Sequence, residues 1–274
     1  MPSSVDLHMH SAASDGTLNV EELVRLAASV GLKTIALTDH DTTAGLDDAI
    51  LFGNKLGLEV IPSIELSAED NGEVHILGYF LNYDNQEFQT KLKHFRDTRF
   101  NRGELIVRKL AELGMPIEWK RVQEIANGAS IGRPHFAEAM KEKGYVQTIA
   151  EAFEKYLHNG GPAFVDREKI TPVQAVQMIR KVGGLAVLAH PTYVNDLDRI
   201  LEETVQAGLA GIETYYGHYD NETVERFLEL AHKYNIVPTG GSDFHGRDDG
   251  GQVYLGERLI PNEVIGQLKA RLQP

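Results

Sequence analysis

The 274-residue chain contains no cysteine. Disulfides and thiol nucleophiles are therefore excluded, and any metal site must be built from His, Asp and Glu. No apolar run approaches the ~18 residues that a membrane-crossing helix needs. The sequence does not open on a basic region followed by an apolar one, so a secretory signal is not expected. With cysteine absent, a reducing cytoplasm is the expected setting. Positive charge is also scarce: 27 Lys and Arg face 40 Asp and Glu, a net charge of −13. That balance argues against non-specific binding to duplex DNA, and neither a membrane nor an obligatory protein partner is expected.

The scarcity is uneven. Residues 84–165 hold 13 Lys and Arg against 11 Asp and Glu, whereas the rest of the chain holds 14 against 29. The middle segment is thus the one part that could receive an anion without help from a metal. What the chain does have is an ordinary globular composition, with 42% hydrophobic and 24% charged residues, enough to bury a core.

Strand and helix patterns alternate on both sides of this middle segment. "SVDLHMH", "KTIALTDHD" and "LEVIPSIELSA" read as strands, separated by amphipathic helices. The first helix has Asn19 as its cap with Glu22 three residues on, and Gly31 as its stop. "EDNGEVHILGYFL" reads as a hairpin turning at Asn71-Gly72. After residue 165 come a helix over "TPVQAVQMIRKVG", the strand "GLAVLAHP", a helix around 196–207, the strand "AGIETYY", a helix around 221–234, the strand "IVPTGGSDFH" and a last helix over "NEVIGQLKARL". Such βα repeats predict an α/β protein with a largely parallel sheet covered by helices. Residues 84–165 instead predict helices only: a long one with a break near Arg99–Gly103, then pieces around 118–126, 134–143 and 148–157. The expected division is a barrel over 1–83 and 166–274 with an all-helical cap, 84–165, inserted between.

Eleven histidines fall unevenly on this pattern. His8 and His10 share one face of the first strand, because alternate residues of a strand point the same way. Alone, the pair could equally be two hydrogen-bonded structural histidines. But His40 ends the second strand, Glu65 the third, His75 lies in the hairpin, and His190 ends the strand after the middle segment. Asp243 and His245 repeat the i, i+2 spacing at the last strand, and Asp15 follows the first. Strand C-termini of a (β/α) barrel converge on one face, where function is built. Nine potential ligands gathered there point to a metal site. Imidazole and carboxylate together suit Mn, Zn or Fe.

The stretches "DLHMHSAASDG", "ALTDHD", "AHP" and "GSDFH" resemble the four motifs of the PHP (polymerase and histidinol phosphatase) family, over roughly two-thirds of the chain. The resemblance implies a distorted seven-stranded (β/α) barrel with two or three divalent metal ions per chain, Mn foremost, with Zn, Fe or Mg as alternatives. Carried over residue by residue, it implies that His8, His10, Glu65 and Asp243 hold one metal, Asp15, His40 and His245 a second, and Glu65, His75 and His190 a third. Glu65 then bridges, and Asp15, His40, Glu65, His190 and His245 form the catalytic set.

Adjacent cations make phosphoester hydrolysis the natural reaction. Amidohydrolase chemistry on a carbonyl is the alternative, and a non-catalytic metal-binding module is a third reading. In the middle segment, "RDTRFNRGE" and "SIGRPHF" place Arg99, Phe100, Asn101, Arg102, Arg133, Pro134 and His135 as substrate-binding candidates. Guanidinium forks and a helix N-terminus suit phosphate. The same arginines could instead pair with neighbouring acids on a solvated helix. The cap resembles that of bacterial enzymes cleaving the 3′-phosphate from nucleoside 3′,5′-bisphosphates, some of which act as 5′-to-3′ exoribonucleases on short RNA. Histidinol phosphatase activity is a further alternative. Tyr215 and Tyr216 could stack on a base or pack in the core, and Asp39 and Asp41, flanking His40, could orient imidazoles or serve the turn.

Overall fold

The computed structural model describes residues 4–126, 131–165, 170–217, 219–246, 255–257 and 259–272, apart from the side chains of residues 98–101. Seven strands form one sheet in chain order: β1 (Val5–Met9), β2 (Thr34–Leu37), β3 (Glu59–Glu69), β4 (Glu73–Tyr79), β5 (Leu185–Leu188), β6 (Gly211–Tyr216) and β7 (Val237–Gly241). Ten α-helices accompany them among the described residues: α1 (Val20–Ser29), α2 (Leu46–Leu56), α3 (Gln86–Glu112), α4 (Trp119–Ala126), α5 (Arg133–Glu142), α6 (Ile149–Ala152), α7 (Pro172–Lys181), α8 (Leu197–Ala207), α9 (Asn221–Lys233) and α10 (Glu263–Arg271).

Neighbouring strands are parallel except at β4, which runs antiparallel to both β3 and β5. The sheet curls until its edges meet. The Asp243 amide donates to the His8 carbonyl at 2.8 Å, and the His10 amide donates to the Phe244 carbonyl at 2.9 Å. The result is a nearly closed, seven-stranded α/β barrel. Closure depends on Gly241: a Cβ there would lie 2.3 Å from His8 Cβ and 2.5 Å from its backbone nitrogen.

Strands covered on both sides need apolar residues on both faces, and the core divides accordingly. Val5, Leu7, Ala36, Ile61, Leu77, Tyr79, Val187 and Val237 form an inner cluster, joined by Val264 and Leu268 of α10. Met9, Ile35 and Leu37 face outward against Leu23, Val24 and Ala27 of α1 and Ala49 of α2. Ile64, Leu66, Ile76, Leu188 and Ile212 face outward under α7, α8 and α9. The register slips between Asp6 and Met9 of β1. Such a bulge re-aims side chains. Val5 and Leu7 point inward, Met9 points outward, and His8 has been turned to the inner side.

The expected local signals hold. Asn19 and Glu22 form the reciprocal cap of α1, and Asn71 and Gly72 take positive φ in the β3–β4 turn. Over 84–165 the described residues form helices and their connections without a strand, with a cluster of their own built around Leu110, Val122, Phe136, Met140 and Leu157. One expectation fails: α3 runs unbroken through 99–103. Gly103 marks close packing instead of a break, since a Cβ there would lie 2.3 Å from the Trp119 ring. The stretch expected as one helix over 148–157 is α6 followed by a π-helical turn, Phe153–Leu157.

Candidate metal centre

The inner face turns from apolar to polar toward the mouth of the barrel. Following inward parity along β3 gives Ile61, Ser63 and then Glu65. Along antiparallel β4 the same parity gives Tyr79, Leu77 and then His75, diagonal to Glu65 across the ladder. A reversed strand therefore brings its beginning to the mouth, which is why His75 lies near the start of β4, while His40, His190, Asp243 and His245 follow strand ends and Glu65, expected to end its strand, lies inside a β3 that runs on to Glu69.

Glu65, 1% exposed, is the hub. Its Oε2 lies 3.2 Å from His8 Nε2, His10 Nε2 and His40 Nδ1. Its Oε1 lies 2.9 Å from His75 Nδ1 and 3.2 Å from His190 Nε2. Asp243 Oδ1 stands 3.2 Å from His8 Nε2 and 3.0 Å from His10 Nε2. On the far side of His10, Asp15 Oδ1 lies 3.3 Å from His245 Nε2, and Asp15 Oδ2 lies 3.9 Å from His40 Nε2.

Three groups could each hold a cation: His8, His10, Glu65 and Asp243; His10, Asp15, His40 and His245; and His40, Glu65 and His75. The first matches the set expected from sequence, and the second adds His10 to it. In the third, His40 takes the place expected for His190, which still reaches Glu65. All nine candidates thus gather at one mouth.

The polar chemistry of the cluster fits divalent cations. Nδ1 of His10 and Nδ1 of His190 are buried without a hydrogen-bond partner, and such orphans call for an explanation, while His10 Nε2 and His40 Nδ1 face carboxylates at 3.0–3.2 Å. Two candidates also hold strained backbone, His190 at φ +26° and Asp243 at φ +54°, as functional sites often do.

Charge is balanced by protons when no cation is bound. Burial disfavours a charged His10, but the closeness of Asp243 and Glu65 outweighs it and lifts its pKa to about 10. Burial likewise opposes charge on His8, yet Asp243, Glu213 and Glu65 hold its pKa well above the ordinary value. Burial lowers His40 to about 4, against the pull of Glu65 and Asp15, so it is neutral. A cation must displace the protons on His8 and His10. Burial opposes charge on His75 too, but Glu65 outweighs it and raises its pKa, so metal binding near pH 7 should release two or more protons, and apparent affinity should rise between pH 6 and 8, by up to ~10-fold per pH unit for each proton displaced. Calorimetric titration in buffers of different ionisation enthalpy counts them; a count of zero would contradict this charge balance.

The surroundings differ from expectation in instructive ways. Of the two roles open to Asp39, orienting imidazoles or serving the turn, the structure shows the second. Its carboxylate accepts from the Ser11 amide at 2.8 Å and from the Ser11 and Ser14 hydroxyls at 2.7 and 2.6 Å, fixing the loop that carries Asp15. Asp41 accepts from the Ser67 amide at 2.9 Å. Outside the nine candidates, Glu213 of β6 reaches an imidazole, 2.9 Å from His8 Nδ1. Tyr215 packs against the inner core, and Tyr216 donates to Asp243 Oδ2 at 2.8 Å. Tyr215 thus takes the core role, one of the two that "GIETYY" allows, while nothing local announces the Tyr216 contact. The exposed ring at the mouth is Tyr193, 68% exposed, with its centroid 5.6 Å from that of His190.

Among the phosphate-binding candidates, the side chains of Arg99, Phe100 and Asn101 lie outside the described residues. Arg102 Nε donates to the Val165 carbonyl at 2.7 Å. The helix break that the sequence pattern places beside Arg102 is not there, because α3 runs through it. Arg133 opens α5, donates to the Leu157 carbonyl and to Asn159 Oδ1, and pairs with Glu73 of β4 at 2.5 Å. Pro134 and His135 line a cavity of about 390 Å³ whose opposite wall is Ala12 and Ser14–Thr17, Asp15 included.

A model of the PHP domain matches residues 6–158. Among curated relatives, the chain is 33% identical to the 5′-3′ exoribonuclease Rnm of Salmonella typhimurium over 98% of this chain and 94% of that protein. It is 33% identical to the phosphoribosyl 1,2-cyclic phosphate 1,2-diphosphodiesterase of Eggerthella lenta, over 88% of this chain and 94% of that one. It is 30% identical to the 3′,5′-nucleoside bisphosphate phosphatase of Chromobacterium violaceum, over 98% of each. A solved structure from Bifidobacterium adolescentis, described as that of a metal-dependent phosphoesterase, superposes with a TM-score of 0.88 at 28% identity, over 99% of this chain and 98% of that one. By fold, by the gathered imidazoles and carboxylates and by these likenesses, the chain belongs to the PHP domain family of metal-dependent phosphoesterases.

Proposed function

We propose that the protein removes the 3′-phosphate from nucleoside 3′,5′-bisphosphates, leaving a nucleoside 5′-monophosphate and phosphate. The observation that carries this reading is the cleft joining Asp15 to Pro134 and His135, which sets a second recognition wall beside the candidate metal centre. The Chromobacterium relative's named activity supports it.

In this reading His8, His10, Asp15, His40, Glu65, His75, His190, Asp243 and His245 hold two or three divalent cations, Mn foremost. Bound cations would supply hydroxide near neutral pH and offset charge on the phosphoryl group. Residues 84–165 form a cap over the barrel mouth. There Arg99, Phe100, Asn101, Arg102, Arg133, Pro134 and His135 receive the phosphate that is not cleaved, and gripping it holds the reacting one in line. Tyr193 takes the stacking role on the base that its exposure suits.

The test is phosphate release from a panel: a nucleoside 3′,5′-bisphosphate, the 3′- and 5′-monophosphates, a 1,2-cyclic ribose phosphate, short RNA and p-nitrophenyl phosphate. The bisphosphate should give the highest kcat/KM; a preference for RNA or the cyclic ester would reassign the substrate. Arg133→Ala should cost the bisphosphate about 10- to 150-fold, the loss of a charge-assisted contact of about 1.5–3 kcal/mol, and should leave p-nitrophenyl phosphate nearly untouched. An equal fall for both substrates would reduce Arg133 to its brace against Glu73.

A further inference from the structure

The geometry points to Glu213 as a positioning residue that ties two ends of the candidate metal centre together. The residue lies outside the nine candidate ligands, on β6, and is fully buried. Each of its oxygens has a different task. Oε1 stands 2.9 Å from His8 Nδ1. Oε2 accepts the backbone amide of His190 at 2.7 Å. One side chain therefore fixes a ring at the end of β1 and the backbone after β5.

Both targets need fixing. His8 can offer Nε2 toward Glu65 and Asp243 only if its proton sits on Nδ1, and a carboxylate on Nδ1 enforces that tautomer and the ring's orientation. His190 holds φ +26° and ψ +63°, a conformation that a non-glycine residue keeps only under outside constraint. Its amide bond to Glu213 supplies that constraint and aims Nε2 at Glu65, 3.2 Å away.

A simple scaffold role explains the pair of contacts less well. A buried carboxylate is costly unless paired, and among the described residues the ion pair recorded for Glu213 is to His8 alone. A glutamine would fill the same volume without charge. Its amide oxygen could accept from only one of the two donors, however, and its NH2 would face the other. The carboxylate is the group that accepts from both at once.

The inference rests on the metal reading and not on the choice of nucleotide, and its test measures metal binding. Metal-stripped wild type, Glu213→Gln and Glu213→Asp are titrated with Mn²⁺ by calorimetry, and their unfolding temperatures are measured without metal. Both variants should bind Mn²⁺ about 10- to 100-fold more weakly in at least one step. Aspartate should not rescue, because the shortened carboxylate cannot span both donors. A purely structural role would lower the unfolding temperature and leave the affinity of the folded fraction unchanged, and that result would overturn the inference. A measurement on the wild type stands apart from any folding defect. In ¹⁵N-histidine-labelled, Zn²⁺-loaded protein, His8 should keep its proton on Nδ1. A proton on Nε2 instead would also overturn it, and a failed nucleotide assay would leave both readouts intact.

Discussion

Replacing Glu65 with glutamine should remove at least one metal ion and lower kcat for any phosphoester by roughly 10³-fold or more. Five imidazoles converge on its two oxygens, at 2.9–3.2 Å. Burial would favour a protonated carboxyl, but His40, His8 and His75 hold its pKa well below the ordinary range, so it is an anion. Two of the three candidate groups share it. Glutamine keeps the shape but turns one oxygen into an NH2 that cannot ligate. Loss of a cation that contributes several kcal/mol corresponds to about 10³-fold at 4 kcal/mol. Elemental analysis beside single-turnover rates tests this, with circular dichroism to verify the fold. Full metal content with normal turnover would remove Glu65 from the centre.

Asp15→Asn should behave differently: a folded protein with wild-type unfolding temperature and kcat reduced by about 10²–10³, on the scale seen when one charge-stabilising group is removed from an active site. The fold should survive because the loop does not depend on Asp15. Asp39 holds it through Ser11 and Ser14. Burial opposes charge on Asp15, yet the His245 imidazole beside it holds its pKa well below the usual range. It also lines the cleft, so a lost ligand there acts where the substrate would enter. Added Mn²⁺ should recover part of the rate if the defect is weakened binding. Unchanged kcat at saturating Mn²⁺ would show that the second group does not take part.

Much of this could be read in the sequence because strand ends are legible. His40, His190, Asp243 and His245 each sit where an apolar run stops, and a barrel gathers such positions whatever the details of its loops; Glu65 instead lies inside β3, which runs on to Glu69. His8 is a subtler case. The i, i+2 rule pairs it with His10, yet strict alternation from Val5 and Leu7 would have pointed both histidines outward. The bulge between Asp6 and Met9 reverses the parity, and no local signal in "VDLHM" announces it. Glu213 and Tyr216 were hidden for a related reason: their partners, His8, His190 and Asp243, lie far away in sequence, so only the closed barrel reveals them. Gly103 misled because a glycine in a helical pattern can mark a break or a close approach, and Trp119, which decides between the two, arrives sixteen residues later.

The reversed strand has a further consequence, written into the length of α3. β4 ends at Tyr79, beside Leu185 where β5 begins, so the chain leaves the barrel at the end opposite the mouth. α3, with 27 residues, is about 40 Å long at 1.5 Å per residue. Its first turns pack Phe88 and Leu92 on the barrel flank, and its last turns carry Ile106 and Leu110 into the helical segment's own cluster. The helix is a ruler. Deleting one residue would swing everything beyond it by about 100°. Deleting four would nearly restore the phase but shift the segment by about 6 Å along the axis. Loop lengths elsewhere can drift, but the span of α3 is quantised by the helical repeat. A helical segment transplanted from a relative would meet the barrel mouth only if its leading helix kept the same count.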